Sequence, residues 1–369
     1  MSFVRWLDAY DPAERDRLGG KNAGLGELLA AGLPVPPGFA VTVDAYHTVR
    51  EHAEIRRVIG GLLGEVDLAD PAAMEELSAA IRGCIEQVPL HDGVAREVRA
   101  AYDALCERCA SQAVPVAVRS SATSEDLPDA SFAGEHDTFL WVRGPDDVLA
   151  YLTRCWSSLF TARAIAYRRE RGYAHDVVAM SVGVQKMVRP TASGVAFTLN
   201  PSDGDRSQVA VEAAWGFGEG VVSGEVTPDS FLVDKVLGEI VKRTISDKSV
   251  EYRLGPDDRV ERVAVDDARR AAPSLTDDQV KAVARLARRA EQHYGRPQDV
   301  EWALDADLPG ESSVTLLQAR PETVWSRRPR QAVVPAGTSV MDRMLGYLGR
   351  PAAPGPDRPG DHPGGPEPD

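Results

Sequence analysis

The sequence predicts an α+β fold in two lobes, helix-rich over residues 1–188 and β-rich over residues 189–326. Three observations carry that prediction. The first part contains several runs with apolar residues at helical spacing. Residues 190–264 are instead rich in Val, Thr and Gly with strand-like alternation, the pattern of antiparallel strands. Near the end stand two short strand-like segments, Asp299-Val300-Glu301-Trp302 and Leu317-Gln318-Ala319-Arg320-Pro321. The turn residues of Asp307-Leu308-Pro309-Gly310-Glu311 lie between them.

Taken in order, residues 21–31 read as a helix with Leu25, Leu28 and Leu29 on one stripe and Gly32 as its stop. Pro34, Pro36 and Pro37 then force an extended entry into a strand over 38–43. Asp44 is placed to cap a helix running to about residue 59. Two more helices are expected between 71 and 112, broken near Pro89. A strand over 115–120 opens into a long loop of small and polar residues. One long helix is expected over 145–172, followed by a strand over 177–188. The last long helix starts at Thr276, where Gln279 completes a capping box. Its stripe is Val280, Val283, Leu286 and Ala287, and Gly295 ends it. Residues 327–369 turn basic, then almost wholly Pro, Gly, Ala and Asp, with room for one short helix over 339–348. Such a stretch buries too little apolar surface to offset its ordering entropy, so a linker and disordered tail are expected.

Composition excludes some partners. A formal net charge of −14 argues against nucleic acid or an anionic membrane, since phosphate backbones draw on excess Lys and Arg. It leaves a nucleoside triphosphate open, because a few basic side chains and a metal ion can meet that charge locally. No apolar stretch approaches the roughly 18 residues of a membrane span, and residues 1–14 lack the apolar segment of a signal peptide. The four cysteines are too dispersed for a disulfide framework. Cys106 and Cys109 form a C-x-x-C inside a helix-like run, without a second pair for zinc. Reduced thiols and a cytoplasmic location follow as expectations.

Five constellations can carry chemistry. Residues two apart on a strand share a face, so Asp299 pairs with Glu301 and Gln318 with Arg320. A hairpin would gather these oxygens and the guanidinium into one patch, which suits a Mg-bound polyphosphate. A surface hairpin with an ordinary cross-strand ion pair fits the same residues. Gly19-Gly20-Lys21-Asn22-Ala23-Gly24 puts a lysine at a helix start, where phosphate is favoured. It lacks the Walker A spacing, and an exposed loop lysine is the plainer account. Arg119-Ser120-Ser121-Ala122 ends a strand and leads through Ser131-Phe132-Ala133-Gly134 to Thr138, which suits a phosphate-covering loop or a flexible surface one. Gln185-Lys186-Met187-Val188 falls where composition changes, so it is either an adenine-binding edge or a core strand at a linker. Trp215-Gly216-Phe217-Gly218-Glu219-Gly220 lacks the third glycine of a dinucleotide-binding loop and reads as a tight turn beside a nucleotide.

Together these motifs, with Val35-Pro36-Pro37-Gly38-Phe39, resemble the N-terminal ATP-binding domain of phosphoenolpyruvate synthase and pyruvate, phosphate dikinase. They are also similar to that domain in rifampin phosphotransferase and to the small ATP-binding subunit of phenylphosphate synthase. The likeness runs from about residue 1 to 325. It implies a two-lobed ATP-grasp fold that clasps Mg-ATP. By motif position, Lys21, Arg119 and Arg320 would bind phosphates and act catalytically, with Gly134 and Thr138 in the covering loop. Gln185, Met187 and Val188 would meet adenine. Glu301 and Gln318 would hold Mg2+, with Asp299 supporting them. The loop reads Gly134-Glu135-His136-Asp137-Thr138 where several relatives have Gly-Gln-Gln, so residues 135 and 136 receive no role.

The family splits ATP into AMP and two phosphoryl groups, one of which rides on a mobile histidine. None of the seven histidines here has a Gly-rich Thr/Ser-His-x-Ala context. The resemblance therefore implies a partner: a separate phosphohistidine-domain protein that passes the group to a small-molecule acceptor. Pyruvate, a phenol or an antibiotic hydroxyl would each be compatible. A self-sufficient kinase yielding ADP and a non-catalytic ATP-binding module fit the same residues.

Overall fold

Two antiparallel sheets organise the chain, and one helix is packed against both. The computed structural model describes residues 2–65, 70–122, 137–172 and 178–326. The expectations for the tail over 327–369 and for Gly134 lie outside them. The elements up to the first sheet's last strand are β1 (Val4–Trp6), α1 (Arg15–Ala30), β2 (Gly38–Val41), α2 (Val43–Arg50), α3 (Ala53–Glu65), α4 (Pro71–Gln87), α5 (Asp92–Arg108), β3 (Val116–Ala122), β4 (Thr138–Val142), α6 (Pro145–Ser157), α7 (Ala162–Glu170) and β5 (Met180–Lys186). There follow β6 (Pro190–Phe197), β7 (Gln208–Trp215), α8 (Glu219–Val222), β8 (Asp229–Asp234), β9 (Ile240–Thr244), β10 (Val250–Leu254), β11 (Val260–Ala264), α9 (Asp267–Arg270), α10 (Asp277–Tyr294), β12 (Gln298–Asp305) and β13 (Val314–Pro321).

The first sheet has the order β1-β2-β5-β3-β4, and the second β13-β12-β6-β7-β8-β9, with β10 and β11 as a separate hairpin. This is the α+β arrangement expected. Around the first sheet, Val41, Val118 and Val184 share a core with Ile81 of α4, Val98 of α5 and Trp156 of α6. The second core joins Val211, Val300 and Trp302 of the sheet to Val283 and Ala287 of α10. Leu18, Leu25 and Leu28 of α1 belong to this second core, although α1 also lies against β3 and β5 of the first sheet.

Several local expectations hold in detail. At α10, Thr276 N–H donates to Gln279 Oε1 at 2.8 Å and Gln279 N–H donates to Thr276 Oγ1 at 3.3 Å, closing the capping box. Gly295 ends the helix in the left-handed region at φ 64°. Two helix expectations are corrected. The run to residue 59 is two helices, and Thr42, not Asp44, occupies the first cap. Asp44 is instead drawn into an ion pair with Arg17, whose Nε donates to Oδ2 at 2.8 Å. The run over 145–172 is likewise α6 and α7, separated by a 3-10 turn at Ser158–Phe160. There Thr161 restarts the helix, its Oγ1 accepting from Ala164 N–H at 3.1 Å. A hydroxyl-rich stretch favours such caps over continuous helix.

The seating of α1 depends on two glycines. Gly19 sits at φ 68°, ψ 165° and kinks the helix, so that its regular part begins just before Lys21. A Cβ there would lie 2.3 Å from the Ser121 carbonyl oxygen. Beyond the kink, Asn22 is buried; its backbone N–H donates to Ser121 Oγ at 3.3 Å, and its Nδ2 donates to Ser181 Oγ at 3.0 Å. Gly183 makes room for this amide, because a Cβ there would meet Asn22 Oδ1 at 2.3 Å. Gly19→Ala combines left-handed strain with overpacking against backbone. It is expected to cost roughly 2–4 kcal/mol in urea unfolding, and a loss under ~0.5 kcal/mol would show that the kink relaxes freely.

Candidate functional site

In the β12–β13 ladder Glu301 stands opposite Gln318 and Asp299 opposite Arg320, so all four side chains share one face. The register slips between Glu301 and Trp302, where Trp302 pairs with Leu316. The extra residue, Leu317, leaves the ladder, and its carbonyl becomes available to a partner outside the sheet. That partner comes from the first sheet. Arg119 on β3, in register with Thr138 of β4 and Gly183 of β5, reaches across. Its Nη1 donates to Leu317 O at 3.2 Å and its Nη2 to Gln318 Oε1 at 2.6 Å. Glu301 Oε2 lies 3.8 Å from the same Nη2.

Lys21, Asn22, Arg119, Gln185 and Gln318 line one small cavity between the sheets, of about 10 Å³. That is space for about one water molecule. Gln185 is buried and its Nε2 donates to Pro36 O at 3.2 Å. Met187 is half-buried, with its N–H given to Pro115 O at 2.8 Å, and Val188 is buried. Any main-chain recognition by Met187 thus falls to its carbonyl. Thr138 is exposed at the start of β4, one strand from Arg119.

Asp299 is the most perturbed acid of this group. Burial pushes its carboxyl up to about 6; Arg320 opposes that shift and Glu322 adds to it. Arg320 Nε is 3.5 Å from Asp299 Oδ2, while Oδ1 is buried without a hydrogen-bond partner among the described residues. Among those residues no three His, Cys, Asp or Glu side chains cluster as a metal site. The oxygens of Glu301 and Gln318, with the unpartnered Asp299 oxygen beside them, are nevertheless the donor type that a hard cation takes.

Two features of this region were not singled out from sequence. Glu212 of β7 lies in the same row as Glu301 and Gln318, through Val195 of β6. Its signal was available: it is the lone charge between Val209, Val211 and Ala213, which face the other way. Trp141 of β4, at φ 61°, packs edge-on to Phe217 beyond β7 at 5.9 Å, so the glycine-rich turn contacts the first sheet.

The two-sheet α+β architecture is ATP-grasp-like. The sequence matches the family "Pyruvate phosphate dikinase, AMP/ATP-binding domain" over residues 15–338, and the chain belongs to that family. It is 41% identical to a probable phosphoenolpyruvate synthase of Staphylothermus marinus, over 96% of this chain and 46% of that protein. It is 42% identical to one of Methanocaldococcus jannaschii, over 90% and 27% respectively. For the phosphoenolpyruvate synthase of Pyrococcus furiosus the figures are 39%, 87% and 44%. The chain thus spans less than half the length of these three relatives. Among the described residues no helix is long and apolar enough to cross a membrane.

Burial alone raises the Glu212 carboxyl above its ordinary range. A carboxyl raised in the folded state contributes stability below its unfolded value and loses it as pH rises through the folded one. Glu212→Gln removes that loss. Melting of the variant is expected to match the wild type near about pH 4 and to exceed it by about pH 7. A variant less stable at both would mean that Glu212 has a stabilising partner.

Proposed function

We propose that this chain is the ATP-binding component of a split dikinase. It would cleave Mg-ATP to AMP and phosphate while phosphorylating a histidine on a separate chain, which then passes the group to a small-molecule acceptor. The observation that carries the reading is the Arg119 fork. It joins the strand-end arginine of one sheet to Gln318 and Glu301 of the other, beside Lys21. A cationic group held on a rigid strand, and released by the polyphosphate it would then clasp, suits phosphoryl transfer, where catalysis is mostly positioning and charge neutralisation.

In this reading Lys21, Arg119 and Arg320 hold the phosphates, and Gly134 and Thr138 belong to the loop over them. Gln185, Met187 and Val188 border the adenine. Glu301 and Gln318 would hold Mg2+, with Asp299 in support; the buried, unpartnered Asp299 oxygen fits a cation nearby. Bound there, Mg2+ would neutralise phosphate charge. The histidine nitrogen attacks the β-phosphorus, AMP leaves with the electrons of the α–β bridge, and water takes the γ-phosphoryl group as phosphate. Residues 1–188 and 189–326 would act as two lobes about the 187–190 crossing. Cytoplasmic thiol chemistry agrees with the free cysteines among the described residues.

The test is to incubate the chain with Mg-ATP, with and without a phosphohistidine-domain protein, and to separate AMP from ADP. AMP formed only with the histidine protein supports the split dikinase. ADP would favour a direct kinase, and tight binding without turnover a non-catalytic module. Arg320 is half exposed, so Arg320→Ala should leave the melting temperature within a few degrees while cutting AMP formation at least about 100-fold. Wild-type turnover by that variant would remove Arg320 from the site.

A further inference from the structure

Glu212 occupies a position that its surroundings leave chemically incomplete. The register runs Gln318, Glu301, Val195, Glu212, Ser230 across β13, β12, β6, β7 and β8, and partners opposite one another share a face. All five are half-buried. The alternate row of Val300, Ala196, Val211 and Phe231 is buried in the core with α10. Glu212 therefore faces the side on which Arg119 meets Gln318. Along β7 its same-face neighbours are Ala210 and Ala214, both small, buried and without a polar side chain to offer it. It has no hydrogen bond or ion pair among the described residues, and burial is the sole influence on its carboxyl.

Partial burial of a carboxylate without a partner is unfavourable, and what would offset it is a ligand that donates hydrogen bonds. Its place relative to the phosphate and metal residues narrows the choice. Two strand spacings, roughly 10 Å, separate Glu212 from Glu301, with Val195 between. The oxygens around one magnesium ion lie only about 3 Å apart, so the two carboxylates are not matched as ligands of one ion. A phosphate is disfavoured by like charge. A nucleotide with its phosphates at Lys21, Arg119 and Arg320 and its base near Met187 and Val188, where β6 begins, crosses β6 with its sugar. The next strand is β7. A carboxylate offers two acceptor oxygens, and vicinal hydroxyls offer two donors.

The geometry points to Glu212 as the residue that binds the ribose 2′,3′-diol of the nucleotide, an inference that rests on the nucleotide site proposed above. Ser230, opposite it on β8, supplies a hydroxyl on the outer side of the same position.

Calorimetric titration of the full chain with ATP, 2′-deoxyATP and 3′-deoxyATP, each with magnesium, tests this. The wild type is expected to bind ATP roughly tenfold or more tighter than either deoxynucleotide, the value of a charge-assisted hydrogen bond. Glu212→Ala should weaken ATP to the deoxynucleotide level and leave 2′-deoxyATP nearly unchanged. Glu212→Gln, nearly isosteric, should fall between them and serves as the readout if the alanine variant fails to fold. A variant that keeps the full preference for ATP, or loses all three ligands equally, overturns the assignment, as does a wild type that binds all three alike. In each of those cases the nucleotide site stands. A wild type that binds no nucleotide overturns the site itself, and this inference with it.

Discussion

The seating of α1 between the two sheets is the constraint on which the site depends. Its leucines enter the core of the second sheet, while Asn22 is hydrogen-bonded into β3 and β5 of the first. A buried amide left unpaired would cost about 1–3 kcal/mol, so this contact is specific as well as close. The kink at Gly19 decides where the helix begins and hence where Lys21 stands. Lys21, Arg119 and Gln318 come from three distant parts of the sequence, yet they line one cavity. Loosening α1 would disturb all three distances together, whereas loosening a loop would disturb one.

Arg119 adds an energetic condition. Its fork onto Leu317 O and Gln318 Oε1 includes a charged donor, and such bonds are worth about 1.5–3 kcal/mol each. A ligand taking the guanidinium must supply at least that much, which a polyphosphate can do through bidentate pairing. Binding would therefore exchange one set of charged hydrogen bonds for another. The Trp141–Phe217 contact and the Arg143–Asp258 ion pair at 3.2 Å also join the first sheet to segments beyond β7. The latter pair is about half exposed and contributes little by itself.

Much of this was legible in the sequence because it rests on local chemistry. The capping box at Thr276, the left-handed stop at Gly295 and the hairpin that gathers Asp299, Glu301, Gln318 and Arg320 are all set by residues close in sequence or by strand alternation. The cap at Thr42 and the helix break near Thr161 were missed because each depends on competition. Asp44 has a capping side chain, but Arg17, distant in sequence, claims it. Ser158 and Thr161 are compatible with a helix until their hydroxyls turn to backbone groups. The bulge at Leu317 was not visible either, since both strands read as regular. It nevertheless decides that a backbone oxygen faces Arg119. Glu212 was passed over because its relation to Glu301 runs through β6, and strand order is a tertiary fact.

The second sheet has one face packed in the core and one face free to carry polar side chains. Its strands alternate, so the face with Val211, Val300 and Trp302 packs under α10 while the opposite face carries Glu301, Gln318 and Glu212. The sheet is anchored beyond the site by a fully buried pair, Lys248 Nζ to Asp229 Oδ1 at 2.6 Å. Asp229 Oδ2 also accepts from Ser274 N–H and Oγ–H, each at 2.7 Å, just before α10. A buried ion pair stabilises only when its remaining hydrogen-bonding capacity is filled, and here serine and backbone groups fill it. Glu212 on the neighbouring strand β7 has no such company. Two acids on adjacent strands, one saturated and one without a partner, thus divide between holding the sheet and meeting a ligand.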